Sequence, residues 1–271
     1  MKLFDVLRLH DDSIRPEMCK LHLAGWNGFE NPVDVFVEGR FEAWQSRQSR
    51  KNFGRPLVVS LIAMDENHHW LFAGVHDVHG HEFVAEWDAY RYEMTSRATA
   101  EAVNGRLVVR FERTGRQSYL LAEKWTDNLV VSELLPRRLQ VGAFPGFVKV
   151  RLTKGKLDAI VGDQPALWKS ALSSVAGVYV IADSASGKLY VGSATGEAGI
   201  WGRWCSYSKT GHGGNRELVA LLREKGEAYA SNFVFGVLET ADTRASESDV
   251  LGRESHWKEL LLSRVHGYNA N

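Results

Sequence analysis

The segment 177–192, which reads GVYVIADSASGKLYVG, predicts a β-hairpin. Two apolar strands, Gly177 to Ala182 and Lys188 to Gly192, flank a loop of aspartate, serine and glycine residues that favours a turn. Antiparallel pairing of these strands can bring the hydroxyls of Tyr179 and Tyr190 together. A strand tyrosine taken singly is far more often a packing residue, so the hairpin alone does not identify a site.

An arginine between tryptophans follows the hairpin. Arg203 belongs to a predicted short helix over 199–207, where Trp201 and Trp204 can hold the helix against the sheet and Tyr207 lies one turn further along. The guanidinium fork suits phosphate oxygens and the charge that develops at phosphorus. The alternative is an arginine whose aliphatic stem and charge lie over the tryptophan faces.

A carboxylate is predicted on the apolar face of the last helix. Apolar residues surround Glu254 at helical spacing, whereas Glu259 is turned away and predicted to be solvated. An unpaired carboxylate is costly in such a place, so we expect a metal, an arginine or a hydrogen-bond network as its partner. An ion pair with Arg203 or Arg253 is the structural alternative. The apolar neighbours of Glu254 are Val250, Leu251, Trp257 and Leu261.

In this order and spacing, and with a terminal Gly267-Tyr268-Asn269, these features resemble the GIY-YIG nuclease family over about residues 172–271. The resemblance implies a three-stranded antiparallel sheet flanked by helices. It also implies one divalent metal, Mg²⁺ or Mn²⁺, held by Glu254. Tyr190 would be the general base for the attacking water.

The resemblance also assigns supporting roles. Tyr179 would line the site and help to orient the water, Arg203 would stabilise the scissile phosphate, and Asn269 would support the site from behind. Tyr207 matches a family position that is tyrosine or histidine. Ser193 departs from the pattern, since many members carry lysine there, and that task falls to Lys209 or His212 or is absent.

The first part of the chain is β-rich. Strand-like runs such as 57–63 and 70–75 alternate with turn-forming residues and predict a barrel or a strongly curved sheet, so the fold class is α+β. A polar segment with glycine and proline, 154–169, is interpreted as the junction between a domain over 1–165 and a nuclease domain over 172–271. The first domain faintly resembles PUA-like barrels, a class that includes readers of modified bases.

Composition limits the partners. Lys plus Arg and Asp plus Glu each number 33, so any DNA contact must come from local patches, and Arg47, Arg50, Lys51 and Arg55 form one candidate. There is no long apolar run and no CxxC pair, so we expect no membrane span and a reducing, cytoplasmic location. Five histidines are interpreted as surface or loop residues rather than a zinc site: His68, His69, His76, His79 and His81.

Together these features predict a metal-dependent endonuclease that hydrolyses phosphodiester bonds of double-stranded DNA. A restriction enzyme fits the pairing of domains, with dependence on a modified base as one version and a homodimer as the easiest route to double-strand cutting. Two alternatives remain open. One is a structure-specific repair or recombination nuclease, and the other is a non-catalytic nucleic-acid-binding protein that has kept the fold.

Overall fold

A computed structural model describes residues 1–270, which form two compact units, one over residues 1–140 and one from residue 141 onward. Each unit has a sheet and helices of its own, which confirms the α+β class. Within residues 1–270, no helix combines the length and the apolar character that crossing a bilayer requires.

Unit 1 is β-rich. Its helices are α1 (Leu3–His10), α2 (Pro32–Val37) and α3 (Phe41–Ser46), and its 3₁₀ turns are Pro16–Met18, Ala85–Trp87, Ala98–Val103 and Ala122–Lys124. Its strands are β1 (Cys19–Ala24), β2 (Arg47–Gln48), β3 (Leu57–Ala63), β4 (His69–Val84), β5 (Ala89–Ser96), β6 (Leu107–Arg110), β7 (Tyr119–Leu121) and β8 (Val130–Leu134).

These strands form one curled sheet. Its order is β2-β5-β4-β3-β1-β7, with β6 pairing to both β4 and β8, and β1 and β3 run parallel. The 16-residue strand β4 pairs with three neighbours, as a strongly bent strand can. The curl brings the two ends of the path together, because the Tyr119 hydroxyl on β7 donates to Gln48 Oε1 on β2 at 2.5 Å. Side chains therefore join the two ends of the barrel-like sheet.

Unit 2 places helices around a smaller sheet. Its strands are β9 (Arg151–Thr153), β10 (Ala176–Asp183), β11 (Leu189–Ala194) and β12 (Phe233–Ala241), and its 3₁₀ turns are Phe147–Lys149 and Glu227–Asn232. Its helices are α4 (Lys154–Asp163), α5 (Ala166–Ser173), α6 (Gly199–Thr210), α7 (Arg216–Lys225), α8 (Glu247–Leu260) and α9 (Ser263–His266).

The sheet of unit 2 has four antiparallel strands in the order β11-β10-β12-β9, not the three that were predicted. The additional strand is β9, in which Leu152 pairs with Phe235 of β12. The 3₁₀ turn Phe147–Lys149 leads directly into this strand.

The segment interpreted as a junction is helical and belongs to the core of unit 2. Thr153 caps α4 by accepting a hydrogen bond from the Lys156 amide at 3.2 Å, and α4 then buries Leu157 and Ile160. Helix α5 buries Trp168 in the same apolar cluster. The units therefore divide at 140/141, which differs from the predicted domains over 1–165 and 172–271. The recognition and nuclease roles assigned to those domains remain predictions.

The hairpin is formed by β10 and β11 as the sequence indicates. Tyr179 lies opposite Gly192 and Tyr190 lies opposite Ile181, so both tyrosines project from the same face. Their ring centroids are 6.5 Å apart. Gly192 allows this approach, because a Cβ atom at that position would lie 2.6 Å from the Tyr179 hydroxyl.

Candidate active site

A polar cleft of about 360 Å³ opens on the surface of unit 2. Strand β11, helices α6 and α8, the start of α7 and the end of the described chain all contribute to it. Four of the six predicted site residues therefore meet in one place although they come from separate segments. The cleft is lined by Tyr190, Arg203, Gly214, Asn215, Arg216, Glu254, Lys258, Asn269 and Ala270.

The other two predicted residues, Tyr179 and Tyr207, lie behind the cleft and are fully buried. Their hydroxyls are 3.1 Å apart, and both rings lie close to that of Tyr190. Burial raises the pKa of Tyr179 and of Tyr207, and the nearby Tyr190 raises both further, whereas Arg203 and the hydrogen bond with Tyr207 act to lower the pKa of Tyr179. These two hydroxyls therefore keep their protons near neutral pH. Of the three tyrosines, Tyr190 is the one that lines the cleft.

Arg203 is held from two sides. Its Nη1 donates to the Gly213 carbonyl at 2.9 Å, and its guanidinium carbon lies 5.4 Å from the centroid of the Tyr207 ring. Burial acts to lower the pKa of Arg203, but the three tyrosines around it raise the pKa, and the net shift is upward. The side chain is thus a fixed cation that stacks on a tyrosine, rather than on its flanking tryptophans, and still borders the cleft.

Glu254 is 8% exposed on α8. Within residues 1–270 its partners are Lys258, whose Nζ lies 2.6 Å from Glu254 Oε1, and the Ser193 hydroxyl, which donates to Oε2. Neither arginine that was considered pairs with it, since Arg253 binds Glu239 at 2.7 Å instead. The helix face around Glu254 is also less buried than predicted, because its neighbour Leu251 is 47% exposed.

Lys258 is the site residue that sequence reasoning missed. Its side chain is 14% exposed, and it reaches the cleft from one helical turn beyond Glu254. A glutamate followed four residues later by a lysine is the favourable orientation of a helical ion pair, and this spacing was the available signal. Lys209 and His212, which the sequence offered in place of the family lysine at Ser193, do not line the cleft.

The charges around the cleft favour an anion. Arg203, Arg216 and Lys258 are cationic, and Glu254 is the carboxylate among the lining residues. Lys258 neutralises Glu254 directly, while Arg203 is bonded to a backbone carbonyl. The remaining positive charge suits a phosphodiester group, whose oxygens accept several charge-assisted hydrogen bonds.

Asn269 fixes the strand that carries Tyr190. Its Oδ1 accepts from the Val191 amide at 2.9 Å, and its Nδ2 donates to the Val191 carbonyl at 2.7 Å. Strand β11 lies at the edge of the sheet, so these two backbone groups would otherwise lack a ladder partner. Asn269 thus supports the neighbour of Tyr190 and itself lines the cleft, and the catalytic support assigned to it remains a prediction.

The donors in the cleft fit a hard divalent cation. The oxygens of Glu254, Ser193 and Tyr190 are of the type that Mg²⁺ prefers, and Mg²⁺ usually keeps several waters beside one or two carboxylates. No cluster of three or more histidine, cysteine, aspartate or glutamate side chains with metal-binding geometry occurs in the described chain. A cation at this site would therefore rely on Glu254 and on water, and Lys258 would have to release Glu254 Oε1.

Unit 1 contains a second group of buried polar side chains. Gln45 is its centre, because Gln45 Oε1 accepts from the Ser60 hydroxyl at 2.6 Å and from His22 Nδ1 at 3.2 Å, and Nε2 contacts the His76 ring. Burial lowers the pKa of His22 to about 4 and also lowers that of His76. The prediction of a surface or loop position is therefore wrong for His76, which faces this cluster.

Three side chains of the basic segment near β2 contact neighbouring side chains. Arg55 pairs with Glu123 at 3.0 Å, Arg47 lies over the Trp87 ring, and Lys51 lies over the Tyr90 ring. Arg55 is therefore paired with a carboxylate, whereas Arg47 and Lys51 keep their charge over the aromatic rings.

Part of this chain is similar to two solved structures. No family model and no curated protein matches the chain. A mutant of the catalytic domain of the intron endonuclease I-TevI is 25% identical, with 36% of this chain and 94% of that domain covered and a TM-score of 0.29. A second structure, of the catalytic domain of the homing endonuclease I-TevI, is 26% identical, with 35% and 98% covered and a TM-score of 0.28. Since both scores are low, the functional proposal rests on the cleft and not on these two likenesses.

Proposed function

We propose that the chain is a metal-dependent endonuclease that hydrolyses phosphodiester bonds of double-stranded DNA at the cleft of unit 2. The observation that carries this proposal is the convergence of Tyr190, Arg203, Glu254 and Asn269 on one positively charged cleft. The resemblance to the GIY-YIG pattern supports the assignment of roles, residue by residue.

In this mechanism Arg203 binds the scissile phosphate. Its position is set by the Gly213 carbonyl and the Tyr207 ring, so little reorganisation is required when charge builds up at phosphorus. Tyr190 lines the same cleft and, in its phenolate form, would take the proton of the attacking water. Tyr179 and Tyr207 support the Tyr190 ring from behind, because their ring centroids lie 6.5 Å and 6.3 Å from its own.

Glu254 would hold Mg²⁺ or Mn²⁺ with the help of Ser193 and water. When bound, the cation supplies positive charge to the phosphate oxygens and to the leaving group. Lys258 pairs with Glu254 in the structure, and once released it adds a second cation beside Arg203. Lys258, which reaches the cleft from α8, would therefore supply the positive charge that many family members supply with a lysine at the position of Ser193.

Two further observations support a more specific role for the proposed nuclease, that of a restriction enzyme. Unit 1 is a curled sheet with aromatic side chains, which fits a recognition module placed beside a nuclease, and base flipping would allow it to read a modified base. The zero net charge argues for one DNA-binding face. We accordingly propose a restriction-type enzyme of the cytoplasm, with a homodimer as its form for double-strand cutting.

The test is plasmid cleavage. Unmodified, methylated and hydroxymethylated plasmids are incubated with the protein in Mg²⁺, in Mn²⁺ and in EDTA, and products are separated as nicked and linear forms. We expect metal-dependent cleavage of at least one plasmid, and the preferred plasmid identifies the modification. Absence of cleavage of all three plasmids with either metal would refute the nuclease proposal, and cleavage in EDTA would refute its metal dependence.

A further inference from the structure

We propose that a basic surface at the start of unit 2, centred on Lys149 and Arg151, binds the phosphate backbone of duplex DNA beyond the cleft. This inference rests on the proposed function, since it assumes that DNA is the substrate. It adds a second contact region that neither the resemblance nor the comparisons assign.

Charge along the chain is the first observation. The protein is neutral as a whole, yet no aspartate or glutamate occurs between Glu133 and Asp158. Such a run in a neutral chain is the local patch that a DNA-binding protein without a basic excess requires. The cations in this interval are Arg137, Arg138, Lys149, Arg151, Lys154 and Lys156.

The structure shows where part of this charge lies. Lys149, Arg151 and Lys156 border a shallow pocket of about 150 Å³ whose other lining residues, Trp168 among them, carry no charge. Lys149 and Arg151 are exposed, and within residues 1–270 neither has an ion-pair partner. A concave surface with several cations and no carboxylate suits one or two phosphates of a nucleic-acid backbone.

The surface is anchored to the helix that carries Arg203. Lys154, the next cation along the chain, is not free for DNA, because its Nζ bonds to Asp158 at 2.6 Å and to the Ser208 carbonyl of α6 at 3.0 Å. The Ser208 hydroxyl donates to Asp158 at 2.7 Å as well. These bonds tie α4 to α6, so a phosphate held near Lys149 and Arg151 has a defined position relative to Arg203.

The spacing suits a duplex. Strand β9, which carries Arg151, lies three strands from β11, which carries Tyr190. Arg151 projects from the other face of the sheet, because its neighbour Leu152 is the residue in register with Phe235, Ile181 and Tyr190. At ~4.8 Å per strand this separation is about 14 Å across the sheet. A DNA duplex rises ~3.4 Å per base pair along its axis, so this separation corresponds to about four base pairs of duplex.

The experiment measures binding without cleavage. Fluorescence anisotropy in EDTA gives the Kd for a labelled DNA duplex from 50 to 300 mM salt, for the wild type and for K149Q/R151Q. Each lost phosphate contact should lower the slope of log K against log salt by ~0.9, so we expect a decrease of about 2 in the slope and a Kd about sixtyfold higher at 0.1 M salt. The matched control, R223Q/K225Q, removes equal charge from exposed positions on α7 and should keep the wild-type slope.

Several results would overturn the inference. They are wild-type affinity and slope in K149Q/R151Q, an equal loss in R223Q/K225Q, no binding of duplex by the wild type, and tighter binding of an RNA duplex through the same two residues. Circular dichroism and thermal melting check that both double variants are folded. Failure of the nuclease proposal gives a different result. A protein that binds DNA through Lys149 and Arg151 but cleaves no plasmid would support the DNA-binding surface and refute the nuclease activity.

Discussion

Both units bury polar side chains, and the group in unit 2 lines a cleft. Around Gln45 in unit 1, His22, Ser60 and His76 satisfy one another within the sheet, and all four are almost inaccessible. In unit 2, Glu254 is nearly as buried, yet its carboxylate lines an open cleft. Burial of a polar group therefore indicates chemistry only where a substrate can reach it. We expect substitutions in unit 1 to change stability and substitutions in the cleft to change rates.

The largest expected effect is on the stability of unit 1. Gln45→Ala leaves Ser60, His22 and His76 without their buried partner. At ~1–3 kcal/mol for each unsatisfied group, the free energy of local unfolding should fall by about 4 kcal/mol. Hydrogen exchange of the β3 and β4 amides measures this fall. Ser49→Ala, at an exposed position nearby, is the control and should leave exchange unchanged; equal exchange in Gln45→Ala would show that the cluster contributes no stability.

Acid should destabilise the same cluster. Burial lowers the pKa of His22 to about 4, whereas an unfolded histidine titrates near ~6.5. The unfolded chain thus binds the additional proton, so the stabilisation is complete above pH ~6.5 and is lost as the pH falls towards 4, by about 3 kcal/mol. Hydrogen exchange of β1 at pH 7 and pH 4.5, corrected for intrinsic rates, checks this. A His22→Asn variant that loses as much stability as the wild type would contradict the assignment to His22.

In the cleft, Arg203→Lys should affect the rate more than the fold. Lysine keeps the charge but loses the planar fork that can hold two phosphate oxygens. We expect the single-turnover cleavage rate to fall by ~10²-fold, as for the loss of one donor to a transition-state oxyanion. The matched control is Arg223→Lys, an exposed arginine on α7. A wild-type cleavage rate in Arg203→Lys would contradict the role of Arg203 in binding the scissile phosphate.

The sequence was most informative where function depends on local pattern. Tyr179 and Tyr190 share a face because strand side chains alternate. Glycine and proline in 154–169 were misleading, although Leu157 and Ile160 already had helical spacing. The segment therefore folds into unit 2 rather than linking two domains.

Other contacts depend on tertiary structure that no short window reveals. The Gln45 cluster joins α3 to three strands of a curled sheet, so its members have no common sequence spacing. The pairing of Asn269 with Val191 likewise joins positions far apart in the chain. Lys258 lies between these cases, because its helical spacing from Glu254 was visible but its place in the cleft was not.

The most direct test of the central claim compares two glutamates of one helix. Glu254 lines the cleft, whereas Glu259 is 72% exposed and pairs with Arg264 at 3.3 Å. Single-turnover cleavage of the preferred plasmid in Mg²⁺ is measured for the wild type, Glu254→Gln and Glu259→Gln. We predict a loss of at least ~10²-fold for Glu254→Gln and a change of no more than about twofold for Glu259→Gln. Equal rates for the wild type and Glu254→Gln, or equal losses in both variants, would contradict the assignment of this cleft as the nuclease site.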